Sequence, residues 1–212
     1  MNHLTVESTG VLSLLQDAGR FGQHHLGLTT GGPLDSFSFY WANKLVGNHY
    51  NATCIEHSMG GLSLRASNTC VIAVTGANMP ITVNGIMQPA WQTLILAKGA
   101  VLTLGYSTAG NRCYIAIQGG FNITPQFGST STVMREGIGG IAGKSLAPND
   151  KLSFTSATNK QRLKLPDHYQ PHFSNTISVR VMIGYQHEAF SHAEKHKFFA
   201  SQYTVTNQSD RM

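Results

Sequence analysis

Charged side chains are scarce in residues 1–159, which carry eight basic and six acidic residues. Several of these few sit in glycine-flanked, turn-like segments. One is Gln16-Asp17-Ala18-Gly19-Arg20, and another is Gly31-Gly32-Pro33-Leu34-Asp35. Asn43 and Asn48 bracket the end of a predicted helix, and Glu56 lies on the strand that follows. Gly110-Asn111-Arg112 opens a later strand, and Ser129, Ser131, Thr132 and Arg135 lie beyond it. These residue types could build a polar site. Arginines clamp carboxylate or phosphate bidentately. Carboxylates take a proton or orient a water. N–H groups in glycine turns can hold a developing oxyanion. Each residue also has a structural reading: Asp17 as a turn cap, Asp35 as a helix start, Glu56 as the partner of an arginine. No Ser-His-Asp or Cys-His order stands out and no G-x-S-x-G elbow is present, so a covalent nucleophile is not expected.

Other chemical-looking patterns fail on context. Residues 137–145 imitate a phosphate loop, but Ile138 stands where glycine is required, and no strand–loop–helix pattern surrounds them. The dinucleotide-like Gly137-x-Gly139-x-x-Ala142 fails in the same way. His187-Glu188 followed by His192 is one residue too long for a zinc-protease helix. His192 and His196 have helical i, i+4 spacing without an evident third ligand, so no metal site is expected. His168 and His172 neighbour prolines and read as exposed.

The elements that must carry the polar residues are mostly strands. Predicted strands cover 4–6, 11–15, 52–57, 62–66, 70–76, 91–97, 101–106, 113–120 and 151–154. Asn84-Gly85 within ITVNGIM signals a type I′ hairpin. Turns recur every eight to twelve residues, the rhythm of a sandwich or barrel. One helix is expected at about 34–46, with Pro33 in its first turn and Gly47 closing it. Leu34, Phe37, Trp41 and Leu45 fall at helical spacing and read as packing. Polar, Pro-containing residues 156–176 read as a linker. A second unit, 177–212, opens with the strand ISVRVMIG. It continues with a short helix from the capping box Ser191-x-x-Glu194 and returns to strand at 202–206. That stretch is too short to bury its own core.

Composition narrows the class. The 212-residue chain is 41% hydrophobic and 12% charged, against roughly 25% charged in an average domain. With 22 glycines it suits short strands and turns. A net charge of +5, with scattered basic residues, does not make a nucleic-acid face. Lys160, Arg162 and Lys164 read as a solvated segment. The three cysteines form no C-x-x-C pair, which fits a reducing compartment. With no signal-like N-terminus and no apolar run of the ~18 residues that span a membrane, a cytoplasmic location is expected.

The polar segments, taken in order, resemble the family of the 5-oxoprolinase C-type subunit, also known as KipA or allophanate hydrolase subunit 2-like. That family is related to the carboxyltransferase region of biotin-dependent urea carboxylase. The resemblance rests on Leu15-Gln16-Asp17-x-Gly19-Arg20, Gly32-x-x-Asp35, Ala42-Asn43-x-Leu45-Val46-Gly47-Asn48, Ile55-Glu56 and Thr75-Gly76-Ala77. It continues through Gly110-x-Arg112-x-Tyr114, Gly119-Gly120, Gly128-Ser129-x-Ser131-Thr132, Gly140-x-x-Gly143-x-x-Leu146 and Ser209-Asp210-Arg211-Met212. Leu34 departs from the small or Met residue usual before the aspartate, and Asn149-Asp150 from a Gly-Asp pair.

The resemblance implies a mainly β fold: a cyclophilin-like barrel over 1–155, then the start of a second, similar barrel. Family members run to roughly 300 residues as two such barrels, so a fragment is expected here. It implies a subunit that, with A-type and B-type (KipI-like) partners, hydrolyses 5-oxoproline at the expense of ATP, and that is inactive alone. ATP is expected to bind in the assembled complex. Under that reading Asp17, Asp35, Glu56 and Arg112 are the catalytic candidates. Arg20 and Arg135 would be further anion clamps, while Gln16, Asn43, Asn48, Ser129 and Thr132 place substrate or loops. Two alternatives stay open. One is carboxyl transfer with biotin, as in urea carboxylase. The other is a non-catalytic regulator that binds a kinase inhibitor.

Overall fold

A computed structural model describes residues 2–155 and 162–206. It divides into two compact units, Met1–Asn175 and Thr176–Met212. Residues 156–161 of the predicted linker and the terminal Ser209–Met212 motif lie outside the described residues.

The first unit is built from two antiparallel sheets. Its strands are β1 (His3–Thr9), β2 (Leu12–Gln16), β3 (Cys54–Ser58), β4 (Leu62–Ala66), β5 (Cys70–Asn78) and β6 (Ile81–Val83). They continue with β7 (Ile86–Gln88), β8 (Thr93–Leu96), β9 (Val101–Leu104), β10 (Ala109–Ile117) and β11 (Lys151–Ser153). One sheet runs β11-β1-β4-β9-β6-β7, the other β2-β3-β10-β5-β8. A mainly β fold was expected and is what forms. Alternation explains the first sheet: Leu62, Leu64 and Ala66 of β4 point into the core while Arg65 points out. The core between the sheets joins Leu4, Val6, Leu64 and Leu102 to Ile55, Ile72, Val74, Ile115 and Ile117.

The second sheet is buried on both faces. The run Cys113-Tyr114-Ile115-Ala116-Ile117 is accordingly apolar without a break. Its outer face takes helix α1 (Ser36–Leu45), which packs Phe39, Ala42 and Leu45 on Cys54, Ala73, Tyr114 and Ala116. The helix begins later than its spacing implied. Asp35 is the N-cap and Pro33 stands two residues before it, outside the first turn. Gly47, at φ 73°, follows the C-cap as expected.

Gly76 fixes a local irregularity beside β10. A Cβ on it would collide with the Arg112 carbonyl and lie 2.8 Å from the Cys113 Cα. The strand pairing shifts register between Ala109 and Cys113 at this point, so Arg112 sits at an irregularity in β10.

Part of the predicted linker is docked on the first unit. Lys164 bridges to Gln92, the Leu165 N–H donates to the Trp91 carbonyl at 2.9 Å, and Leu165 is buried. In the second unit the predicted helix forms as α2 (His192–Ala200), with the Ser191–Glu194 capping box in place. The predicted strands at 177–184 and 202–206 do not form. Val179, Val181 and Ile183 are exposed there, and no described strand pairs with their backbone. A strand needs a hydrogen-bonded neighbour, whatever its alternation. Among the described residues, no helix is long and apolar enough to cross a membrane.

Candidate functional site

Cross-strand register assembles the first polar group. Leu14 of β2, Glu56 of β3, Tyr114 of β10 and Thr75 of β5 are successive partners, so their side chains share the outer face of the second sheet. Arg112 lies two residues before Tyr114 and projects to the same side. The Tyr114 hydroxyl donates to Glu56 Oε2 at 2.7 Å and accepts from the Asp35 N–H at 2.8 Å. The Leu34 N–H donates to the same Oε2 at 2.8 Å. Glu56 Oε1 is left facing Arg112 Nε at 3.6 Å, an ion pair too long for a hydrogen bond. Among the described residues, Arg112 Nε has no hydrogen-bond partner. The Glu56 side chain is 5% exposed and that of Arg112 16%, so the pair is reached chiefly through the arginine. Burial, then the Glu56 charge, pushes the Tyr114 phenol far above its usual range. It stays a proton donor to Glu56.

A second group ties the end of β2 to the loop 126–132. Asp17 Oδ1 accepts from the Ser129 hydroxyl at 2.6 Å, the Ser131 hydroxyl at 2.7 Å and the Gly19 N–H at 3.0 Å. Oδ2 accepts from the Thr130 N–H at 2.7 Å. Burial would raise the carboxyl, but these hydrogen bonds together outweigh it and hold it below the usual value. Arg20 is 1% exposed. Its Nε donates to the Gln126 carbonyl at 3.0 Å, and its Nη2 to the Ser131 carbonyl at 3.2 Å. Gln16 Nε2 donates to the Thr132 carbonyl, and the Thr132 hydroxyl to the Leu15 carbonyl. Gln16, Asp17, Arg20, Ser129 and Thr132 therefore come together as a staple, with Asp17 and Arg20 engaged by protein groups.

Asn43 and Asn48 form a third group. Asn43 Nδ2 donates to the Ala52 carbonyl at 2.8 Å. Asn48 donates to the Ile117 carbonyl at 2.8 Å and accepts from the Gly119 N–H at 2.9 Å. They fasten the end of α1 to the end of β10. Arg135 stands apart, 85% exposed and 3.9 Å from Glu136. Asp35 spends both oxygens on Ser38, accepting from its N–H at 3.0 Å and its hydroxyl at 2.5 Å. Asp35→Ala should cost about 1 kcal/mol, the usual value of an N-cap, read from the urea midpoint. A loss under about 0.3 kcal/mol, on the same scale, would show that capping is not its contribution.

Residues missed from the sequence cluster nearby. Tyr114 could have been found from its i, i+2 spacing to Arg112 on a strand. His57 carried no such signal. It is fully buried, and its Nδ1 is 2.8 Å from the Ser13 hydroxyl. Burial pushes the imidazole down to about 4 from 6.5. The unfolded chain therefore takes up this proton first. Stability is intact above about pH 6.5 and falls as the pH drops toward 4, by about 3 kcal/mol in total. Melting temperatures across pH 7.5–4.5 should show this decline in wild type and a shallower one in His57→Gln. Parallel curves would remove His57 as its source.

The glycine-rich segment offers no phosphate cradle. The Gly139 N–H donates to Gln126 Oε1, that of Gly140 to the Thr130 carbonyl and that of Gly143 to the Gly139 carbonyl. His192 and His196 are on α2, where His192 is exposed and no metal partner accompanies them. Among the described residues, no group of three or more His, Cys, Asp or Glu could hold a metal ion.

Comparison with known proteins follows the same line. The model of the family described as carboxyltransferase domain, subdomain A and B, matches residues 26–212. The C-type subunit of 5-oxoprolinase from Escherichia coli is 30% identical over 210 residues, covering 99% of this chain and 66% of the relative. Urea amidolyase of Saccharomyces cerevisiae is 32% identical over 178 residues, covering 81% of this chain and 10% of the relative. The crystal structure of TTHA0988 superposes with a TM-score of 0.80 at 31% identity, over 88% of this chain and 37% of that one. The chain thus spans less than two-thirds of the length of each of these relatives.

Proposed function

Because the chain belongs to the carboxyltransferase domain, subdomain A and B, family, we propose that it serves as a subunit of an ATP-dependent 5-oxoprolinase. It acts with A- and B-type partner subunits, converting 5-oxoproline, ATP and water to glutamate, ADP and phosphate. A lactam carbonyl is a poor electrophile, and phosphorylating its oxygen makes ring opening by water feasible. Such a site needs a cation for anionic oxygens and a carboxylate for water. The observation that carries the reading is the Glu56–Arg112 pair: among the described residues no hydrogen bond reaches Oε1, while Oε2 is fixed by Tyr114 and Leu34. Arg112 takes the role of anion clamp and Glu56 that of the group that orients water or takes its proton. Asp17, Arg20, Asn43 and Asn48 hold the frame. ATP falls to a partner subunit, since the donors of the glycine-rich segment are spent internally.

Carboxyl transfer to urea or a similar amide is the second reading, favoured by the 32% identity to urea amidolyase. The same clamp would hold a carboxyl group. Turnover of 5-oxoproline by this chain with its A- and B-type partners decides between them. ATP-dependent glutamate release independent of biotin is the expected result. Activity that requires biotin would overturn it in favour of carboxyl transfer, and tight assembly with no turnover would favour a regulator.

A further inference from the structure

The loop between Arg20 and α1 ends in a turn whose backbone is held from both sides. On one side the Arg20 N–H donates to the Thr30 carbonyl at 2.6 Å. On the other the Leu34 N–H donates to Glu56 and the Asp35 N–H to Tyr114, each at 2.8 Å. Between these anchors lie Gly31 and Gly32, at φ 65° and 90°, and Pro33, which has no N–H. Among the described residues, the N–H groups of Gly31 and Gly32 have no protein acceptor. Both residues keep some solvent exposure, so these donors are reachable.

The turn is also packed against the staple. A Cβ on Gly31 would lie 3.0 Å from Val133 and 3.2 Å from Ser131, and one on Gly32 would lie 2.8 Å from the Ala18 carbonyl. Two adjacent donors are thus held in a segment whose positive φ values disfavour a side chain at either position. With the Leu34 N–H 2.8 Å from Glu56 Oε2, chain reach alone keeps the Gly32 N–H within roughly 10 Å of that carboxylate and the Gly31 N–H within roughly 14 Å. Backbone donors held in place before the substrate arrives need no reorganisation as charge grows on an oxygen.

We propose that the Gly31–Gly32 turn is the site that receives the carbonyl oxygen of the amide substrate, with both backbone N–H groups donating to it. This rests on the amide-hydrolase reading above and gives the Glu56–Arg112 pair its missing neighbour. The ligand class is a planar amide with an exposed carbonyl. Inorganic phosphate offers similar oxygens and is the necessary comparison.

The test is a titration of the full chain, labelled with 15N-glycine, followed through its amide signals. L-5-oxoproline should move the Gly31 and Gly32 protons downfield by more than those of the other 20 of its 22 glycines, and inorganic phosphate should move them less. Silence of both at saturating L-5-oxoproline overturns the inference, as does a response to phosphate alone. Turnover in the assembled complex is scored separately. Turnover with silent Gly31 and Gly32 sinks this inference and leaves the functional reading. Downfield shifts in a complex that never releases glutamate sink the reading and leave the carbonyl site. Glycine substitution is avoided because both positions have positive φ, and a side chain at Gly32 would also collide with the Ala18 carbonyl.

Discussion

Arg112→Ala should lower 5-oxoprolinase turnover of the assembled complex by roughly 10²- to 10³-fold, the usual cost of removing one donor from a charge-stabilising site. Arg112 is placed by β10 at an irregularity that only Gly76 tolerates, and it faces Glu56 Oε1 at 3.6 Å. No other arginine is within ion-pair distance of Glu56 among the described residues, so the charge would not be replaced. The variant also leaves Glu56 buried without its cation, a change that destabilises by about 3 kcal/mol in comparable pairs. Stability must therefore be read beside turnover. Arg112→Lys keeps a charge but loses the planar fork, and should recover part of the rate. A stably folded Arg112→Ala complex that turns over like wild type would remove Arg112 from the chemistry. Glu56→Gln, whose single carbonyl oxygen can keep the Tyr114 and Leu34 hydrogen bonds at the Oε2 position but sets an NH2 group against Arg112, should reduce turnover by abolishing the charge.

Asp17→Ala should destabilise the chain by about 4 kcal/mol, among the largest costs of any single side chain here. The Asp17 carboxylate accepts four hydrogen bonds, two from serine hydroxyls and two from backbone N–H groups, and is itself 4% exposed. Alanine would leave those donors facing an apolar methyl. Asp17→Asn keeps one acceptor oxygen and should cost about half as much. Urea unfolding of both variants at pH 7 checks the order. The contribution should also follow pH. The folded carboxyl lies below its ordinary value of 3.8, so the stability it supplies is whole above that pH and is lost as the pH falls through the folded value. A loss within about 1 kcal/mol of wild type in the alanine variant would mean that the loop is held by something other than this carboxylate. A loss of turnover without a loss of stability would return Asp17 to the chemistry.

These variants separate residues that look alike in sequence. Asp17, Asp35 and Glu56 each sit near a glycine turn or a strand, and each could be a base. Asp17 and Ser129 are 112 positions apart, and Tyr114 and Glu56 are 58 apart. Nothing local states that the first carboxylate meets four donors and the last keeps one oxygen free. The glycines of 137–145 show the converse. Their pattern imitates an anion cradle, yet the fold spends their N–H groups on Gln126 Oε1 and nearby carbonyls.

Local chemistry alone determined much of the secondary structure. Alternation marks the strands, because one face of a sheet must be apolar. Asn84-Gly85 marks the hairpin between β6 and β7, because both residues must take positive φ, here 51° and 79°. Ser191 and Glu194 mark the start of α2, because a capping box satisfies its own N–H groups within four residues. The alternating run at 177–184 shows the limit, since its backbone remains a strand only when another chain segment bonds to it. Tertiary structure decided which polar residues meet. Strand pairing brings Glu56, Tyr114 and Arg112 to one face, burial strips their water, and the competing hydrogen bonds of each carboxylate then fix whether it binds the fold together or stays available to a substrate.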